Sequence, residues 1–248
     1  MMTSLLGKVR LLLESFDAES GSLSLTELSR RSGVAKATVH RLAAEMVELG
    51  LLERIGTDYR LGLRLFELGQ LVPTQRILRE AALPFLQELH AITRETVHLA
   101  IRDGLDVLYI DKISGHGSVE LPSRVAGRLP VEVTATGKVM LAFSSPAVFE
   151  QVVARGLAKF THRSVASAAM LRRQLERARS EAMMVEAEEA RLGTASAAVP
   201  IFSGGSTVVG AVSVSTSTAR MNLARISGPL QTAGQGVSRA LHEIARTA

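Results

Sequence analysis

Between Glu27 and Glu45 the chain carries no acidic residue, while Arg30, Arg31, Lys36 and Arg41 place four positive charges in the same stretch. Lys and Arg neutralise phosphates, and a Thr hydroxyl bonds a phosphate oxygen or a base edge. Lys36, Ala37, Thr38, His40 and Arg41 on one side of a helix therefore have the composition of a nucleic-acid contact. Arg54, Arg60 and Arg64 follow downstream, suited to phosphate or the minor groove. Two further groupings lie in the second half. The run Ala211-Val212-Ser213-Val214-Ser215-Thr216 alternates apolar and hydroxyl side chains, so a strand would carry Ser213 and Ser215 on one face. That face is either the exposed side of an edge strand or the wall of a cavity. Thr134-Ala135-Thr136-Gly137-Lys138 opens the apolar run Val139 to Phe143, and the free amides of a helix start, with Lys138 nearby, suit a carboxylate. It is not a nucleotide loop, because the position five before Gly137 is Glu132 rather than Gly.

Catalytic groupings are missing. His40, His90, His98, His116, His162 and His242 are scattered, with no pair at metal-ligand spacing, and no Gly-x-Ser-x-Gly elbow occurs. Glu188 and Glu189 fit a polar turn between two strands as well as they fit acid-base work. Neither an enzyme nor a metal site is expected.

The elements that must position the basic stretch read as a helix-turn-helix with a wing. Leu5, Val9, Leu12, Leu13 and Phe16 recur at helical spacing, and residues 17 to 22 break the helix. Ser24 with Glu27 matches a capping box that starts a second helix. Ser32-Gly33 supplies a turn, with the small Ser29 four positions before Gly33 at a close helix crossing and Val39 six positions after it as an inward anchor. Leu28, Val34 and Leu42 complete the core. A third helix from Ala35 to Leu49 puts Val39, Leu42, Met46 and Leu49 on one face, and Gly50 stops it. Residues 51 to 55 and 59 to 61, around Gly56-Thr57-Asp58, form a hairpin. In this plan the third helix enters the major groove. Residues 65 to 93 read as linker helices and residues 94 to 248 as mixed strands and helices. Residues 195 to 201 form a strand of small side chains, which either leave room for a ligand or permit close packing.

At 248 residues, 46% hydrophobic and 21% charged, the chain can bury a sizeable core, and disorder is excluded. Zero Cys removes disulfides, thiolate metal sites and a cysteine nucleophile, and points with the lack of any bilayer-length apolar run to the cytoplasm. The net charge of +5 is a poor guide. Residues 1 to 90 hold 11 basic and 11 acidic side chains, so the whole surplus lies in residues 91 to 248.

The segment Leu25 to Leu52, especially SRRSGVAKATVHRLAAEMVELGLL, resembles the DNA-binding domain of the IclR family of bacterial transcriptional regulators. The resemblance continues through Glu95 to Asp111, Arg128 to Phe143, Glu188-Glu189 and Ala211 to Ser215, in the family's order. It implies an α+β chain: a winged helix-turn-helix over 1–64, linker helices over 65–93 and a PAS/GAF-like α/β effector-binding domain over 94–248. It also implies a homodimer or dimer of dimers on a near-palindromic double-stranded operator, answering to a small, often aromatic, organic acid. No cofactor and no membrane are implied. Effector contacts carry over to Ala135, Thr136, Ser213 and Ser215, to Glu186 where the family often has Asp, and to Ser196 where many members have Cys. Met183 and Met184 stand where an aromatic is frequent. Glu186 reaches one methylene further than Asp, and Ser196 is smaller and bonds better than a thiol. The alternative to a regulator is a ligand-sensing oligomeric module whose winged helix meets another protein.

Overall fold

Ser24 opens the second helix as the capping pattern requires, its hydroxyl accepting from the Glu27 amide at 3.2 Å. The Glu27 carboxylate does not complete the box; Arg30 and Arg31 take it. The computed structural model describes residues 4–17, 19–115 and 121–247. These divide into two compact units, Met1–Arg76 and Ile77–Ala248.

The first unit runs α1 (Leu5–Leu13), β1 (Leu23–Ser24), α2 (Leu25–Ser32), α3 (Lys36–Glu48), β2 (Leu52–Ile55), β3 (Asp58–Leu61) and α4 (Leu63–Gln70). Gly33 ends α2 at φ 67, the left-handed conformation that a Cβ disfavours. Leu12, Leu28, Val39, Leu42 and Met46 close the core under the wing, with Leu52 and Tyr59 from the strands. Leu49 departs from the expected face: it caps α3 and is 67% exposed. Ser29 is not simply small, since its hydroxyl donates to the Val34 carbonyl at 2.7 Å and fixes the turn. The wing has three antiparallel strands in the order β1-β3-β2, because residues 23 and 24 pair with Tyr59 and Asp58.

The second unit holds α5 (Pro73–Thr93) from Ile77 onward, then β4 (Thr96–Asp103), β5 (Asp106–Ile113), β6 (Arg128–Pro130), a short 3-10 turn (Val131–Val133), α6 (Ala135–Ala142), α7 (Pro146–Arg155), α8 (Ala168–Glu181), β7 (Met184–Ala187), β8 (Thr194–Ser203), β9 (Thr207–Ser217) and α9 (Leu223–Thr247). The strands form one antiparallel sheet, β6-β5-β4-β9-β8-β7. Period-two alternation divides its faces. Val97, Leu99, Val212 and Val214 pack on α5 and α9 through Leu86, Leu89, Leu230 and Val237. Ala100, Ala198 and Ala211 turn the other way, toward α6 and α8 through Val139, Met140 and Leu171. This is an α+β, PAS/GAF-like domain with helices on both faces of an antiparallel sheet. β9 is central rather than an edge, bonded to β4 and β8 on its two sides.

Candidate functional site

The register of the sheet builds one cavity. Ser213 lies opposite His98 of β4 and Ala198 of β8, and Ser215 lies opposite Thr96 and Ser196. The hydroxyl face of β9 is therefore an inner wall, and Ser213 and Ser215 are buried. Above it, the Thr134 hydroxyl caps α6 by accepting from the Gly137 amide at 3.0 Å, leaving Ala135 and Thr136 at the open start of the helix. The cavity has a free volume of about 20 Å³ in this structure, and Ala135, Thr136, Glu186, Ser196, Ser213 and Ser215 all line it. Four elements far apart in sequence thus bring the six expected effector residues together.

The cavity also uses side chains that neither spacing nor resemblance singles out: His98, Tyr109, Ser123, Thr134 and Thr194. The His98 ring bonds Ser123 Oγ through Nε2 at 2.7 Å and faces Ser213 Oγ from Nδ1 at 3.4 Å. Its register partner Ser213 was the available signal: on a two-residue period, Thr96, His98 and Ala100 share the face that meets the serines. Burial, helped by the Lys112 charge, pushes the imidazole down to about 3, so it is neutral. Burial likewise lifts the Tyr109 phenol to about 12, against the pull of its hydrogen bonds to Thr136 and Thr134. Glu186 is pushed up to about 7 by burial, opposed by the backbone amide of Glu189 and the charge of Lys138. Among the described residues no Lys or Arg lines the cavity. Lys138 is fully buried and paired with Glu189, so it does not join the helix-start amides as expected. Glu189 is correspondingly no solvated turn residue. Only Glu188 is, with φ 62 and its carboxylate on Arg163 at 2.9 Å.

On the first unit, Lys36, Ala37, His40 and Arg41 stand exposed along α3, and Thr38 is half-buried. The basic residues are not equivalent. Glu27 and Glu45, the acids bounding the acid-free stretch, turn back into it: Glu27 takes Arg30 at 2.6 Å and Arg31 at 2.8 Å, and Glu45 takes Arg41 at 2.7 Å. Arg60 pairs with Glu53 at 2.6 Å, and Arg64 with Glu67 at 2.8 Å. Lys36 and Arg54 have no acid partner among the described residues. Lys36 donates to Thr26 Oγ1 at 2.9 Å and Arg54 to the Gly56 carbonyl at 3.1 Å. Arg31 is a clamp: its donors reach the Ser15 carbonyl, Asp17, Ser20 and Glu27, tying the end of α1 to α2. Arg31→Ala should therefore lower the midpoint of the winged helix in a denaturant melt. It should leave the salt dependence of DNA binding unchanged; a slope shallower by about one would mean a phosphate contact instead.

Of the remaining histidines, His90 bonds the Glu95 carbonyl through Nδ1 at 2.8 Å, and His116 lies outside the described residues. No group of three or more metal-ligating residues occurs among the described residues. No helix there is long and apolar enough to cross a membrane.

A winged helix-turn-helix followed by a domain with a hydroxyl-lined cavity defines a DNA-binding transcriptional regulator with an effector domain. The chain belongs to the IclR family: residues 6–56 match the IclR helix-turn-helix domain, and residues 70–239 match the bacterial transcriptional regulator IclR C-terminal domain. It is 34% identical over 236 residues to the HTH-type transcriptional regulator XynR of Escherichia coli (strain K12), covering 93% of this chain and 94% of that one. With KdgR of the same organism it shares 32% over 228 residues, 89% and 86% of the two chains. A crystal structure of an IclR homolog complexed with 4-hydroxybenzoate, from Microbacterium hydrocarbonoxydans, superposes with a TM-score of 0.90 at 31% identity, over 96% of this chain and 99% of that one. These relatives are regulators, and the chain is a regulator rather than an enzyme.

Proposed function

We propose that the cavity of the second unit takes a small organic acid and that its occupancy changes the affinity of the winged helix for operator DNA. The observation that carries this reading is the convergence of Ala135, Thr136, Glu186, Ser196, Ser213 and Ser215 on one cavity at the start of α6. A carboxylate there accepts from helix-start amides and serine hydroxyls, with no cation required. The IclR homolog bound to 4-hydroxybenzoate supports an aromatic carboxylate as the first probe. In this reading residues 1–64 read DNA, 65–93 link, and 94–248 sense. A two-fold homodimer, alone or paired into a tetramer, meets a near-palindromic site with one α3 per half-site. The effector acts only through different affinities for the DNA-competent and incompetent arrangements. Calorimetric titration with 4-hydroxybenzoate, benzoate and short aliphatic acids tests the cavity, and Ser213→Ala with Ser215→Ala should abolish whatever binding is found. Binding that survives both changes would place the ligand elsewhere.

For DNA, the pairing pattern ranks the contacts. Lys36, at the start of α3, and Arg54, in the wing, meet phosphate without first giving up an acid, with Ala37, Thr38 and His40 beside the base edges. Arg30, Arg41 and Arg60 must exchange Glu27, Glu45 and Glu53 for phosphate. Gel-shift titration with the chain's own upstream region should show Lys36→Ala and Arg54→Ala each weakening binding about tenfold, with the salt slope shallower by about 0.9 for each phosphate no longer neutralised. Arg30→Ala should have the smallest effect. The reverse ranking would show that the ion pairs open on DNA.

A further inference from the structure

Lys138 and Glu189 form a buried pair beside the cavity without lining it. Lys138 is 0% exposed, and its ammonium stands 2.5 Å from Glu189 Oε1. The turn that carries Glu189 is tied down on several sides. Gln174 of α8 donates to Glu189 Oε1 at 3.3 Å, Ser164 Oγ donates to the Glu189 carbonyl at 2.7 Å, and Thr161 Oγ1 donates to the Glu188 carbonyl at 2.6 Å. From that turn the Glu189 amide donates to Glu186 Oε2 at 3.0 Å, and the Ala190 amide bonds the same carboxyl. Lys138 thus reaches the cavity through two steps, Glu189 and then Glu186.

A buried ion pair contributes little to stability compared with apolar groups of the same volume, so stability alone does not account for this one. Charge counting does. Burial lowers the Lys138 ammonium below its ordinary range, and three carboxylates, Glu189, Glu186 and Glu132, oppose that shift. Glu132 is held by Arg155 at 3.0 Å, a guanidinium that it shares with Asp106 at 2.8 Å, and by the Ala158 amide at 3.1 Å. One positive charge remains for two buried carboxyls, Glu189 in contact with it and Glu186 one step away. The other ionisable groups lining the cavity, His98 of β4 and Tyr109 of β5, are both neutral. Glu186, buried and without a cation in contact, is the carboxyl pushed up to about 7.

We propose that Lys138 is a positioning residue of the effector site: paired with Glu189 it holds the turn that presents Glu186, and it leaves Glu186 as the member of the trio free to take up a proton and donate a hydrogen bond to an anionic ligand group. This rests on the cavity being the effector site, but its test needs no ligand. Full-length protein labelled with carbon-13 at the glutamate carboxyls is titrated across roughly pH 5 to 9, with the Glu186 resonance assigned by its disappearance in Glu186→Gln. The wild-type midpoint is expected at about 7. Lys138→Met removes the cation and should raise the midpoint by about one pH unit or more. Glu189→Gln leaves the ammonium to Glu186 and should lower it by a similar amount. A pair that only packs would leave the midpoint unmoved, and equal midpoints in the three proteins overturn the inference. If Lys138→Met does not fold, Glu189→Gln carries the test through its opposite sign. Failure of organic acids to bind the wild-type protein would overturn the proposed function and leave these midpoints as they are.

Discussion

Gly137→Ala should destabilise the effector domain by about 3 kcal/mol and lower its melting temperature by roughly 10 °C. Gly137 sits in the first turn of α6, where a Cβ would stand 2.3 Å from the Val131 carbonyl oxygen, 2.5 Å from its Cα and 2.7 Å from its carbonyl carbon. All three are backbone atoms of the 3-10 turn before the helix, so no rotamer relieves the contact. Either the turn or the start of α6 must move, and Ala135 and Thr136 move with it. Scanning calorimetry of the full chain checks this, with Gly228→Ala as the control. Gly228 lies within α9 with nothing within 4 Å of its added Cβ. There the helix-propensity gain of Ala, about 0.5–1 kcal/mol, is offset by the crowding that Pro229 imposes on a Cβ in the preceding helical residue, so little net change is expected. Equal melting temperatures for the two variants would show that the first turn of α6 is not wedged against Val131.

That contact explains what the sequence did and did not disclose. Thr134 to Lys138 reads as a helix start from local chemistry, because a cap and its amides are neighbours in sequence. The need for glycine comes from Val131, through a chain reversal that no periodicity reveals. The winged helix was legible almost throughout for the same reason: Ser24, Gly33, Val39 and Gly56 act within a turn or two of themselves. The third wing strand was not, since Leu23 and Ser24 pair with residues about 35 positions away. In the sheet, alternation separated Ser213 and Ser215 from Val212 and Val214, but it could not say whether their face was open. Two neighbouring strands, supplied by β4 and β8, decide that. The charge on α3 shows the converse error. Counting acids inside the stretch from Glu27 to Glu45 overlooked the fact that residues three and four apart on a helix touch, so the boundary acids neutralise part of the window they define and leave Lys36 without an acid. Glu186 and Ser196 came from family resemblance, and the structure supplies their physical setting. Ser196 bonds Ser215 at 2.8 Å across β8 and β9, a hydroxyl pair that a thiol would form poorly.

An aromatic carboxylate such as 4-hydroxybenzoate should bind less tightly as the solution becomes alkaline, losing about tenfold per pH unit above about 7 and changing little below it. The sign follows from the proton on Glu186. Burial lifts this carboxyl above the ordinary glutamate range, so near neutral pH it is an equilibrium mixture of acid and carboxylate. The acid donates a hydrogen bond to the ligand carboxylate, whereas the carboxylate repels it at close range in a poorly screened cavity. Binding therefore requires the protonated form, and each unit of pH above the midpoint removes about nine-tenths of it. No other group lining the cavity titrates there, with His98 held at about 3 and Tyr109 at about 12. Glu189 remains tied to Lys138. Glu186→Gln keeps a donor of the same length without the titration, so its affinity should be flat with pH and close to the wild-type value at the acid end. Isothermal titration in buffers of different ionisation enthalpy adds an independent count. Above the midpoint the wild-type protein should take up close to one proton per ligand, and Glu186→Gln none. A wild-type slope that persists in Glu186→Gln would assign the proton to another group, and an affinity that rises with pH would mean that the ligand group is not an anion. By linkage, any operator response driven by such a ligand carries the same proton. At a fixed effector concentration below saturation, the response should therefore be stronger on the acid side of neutrality than on the alkaline side.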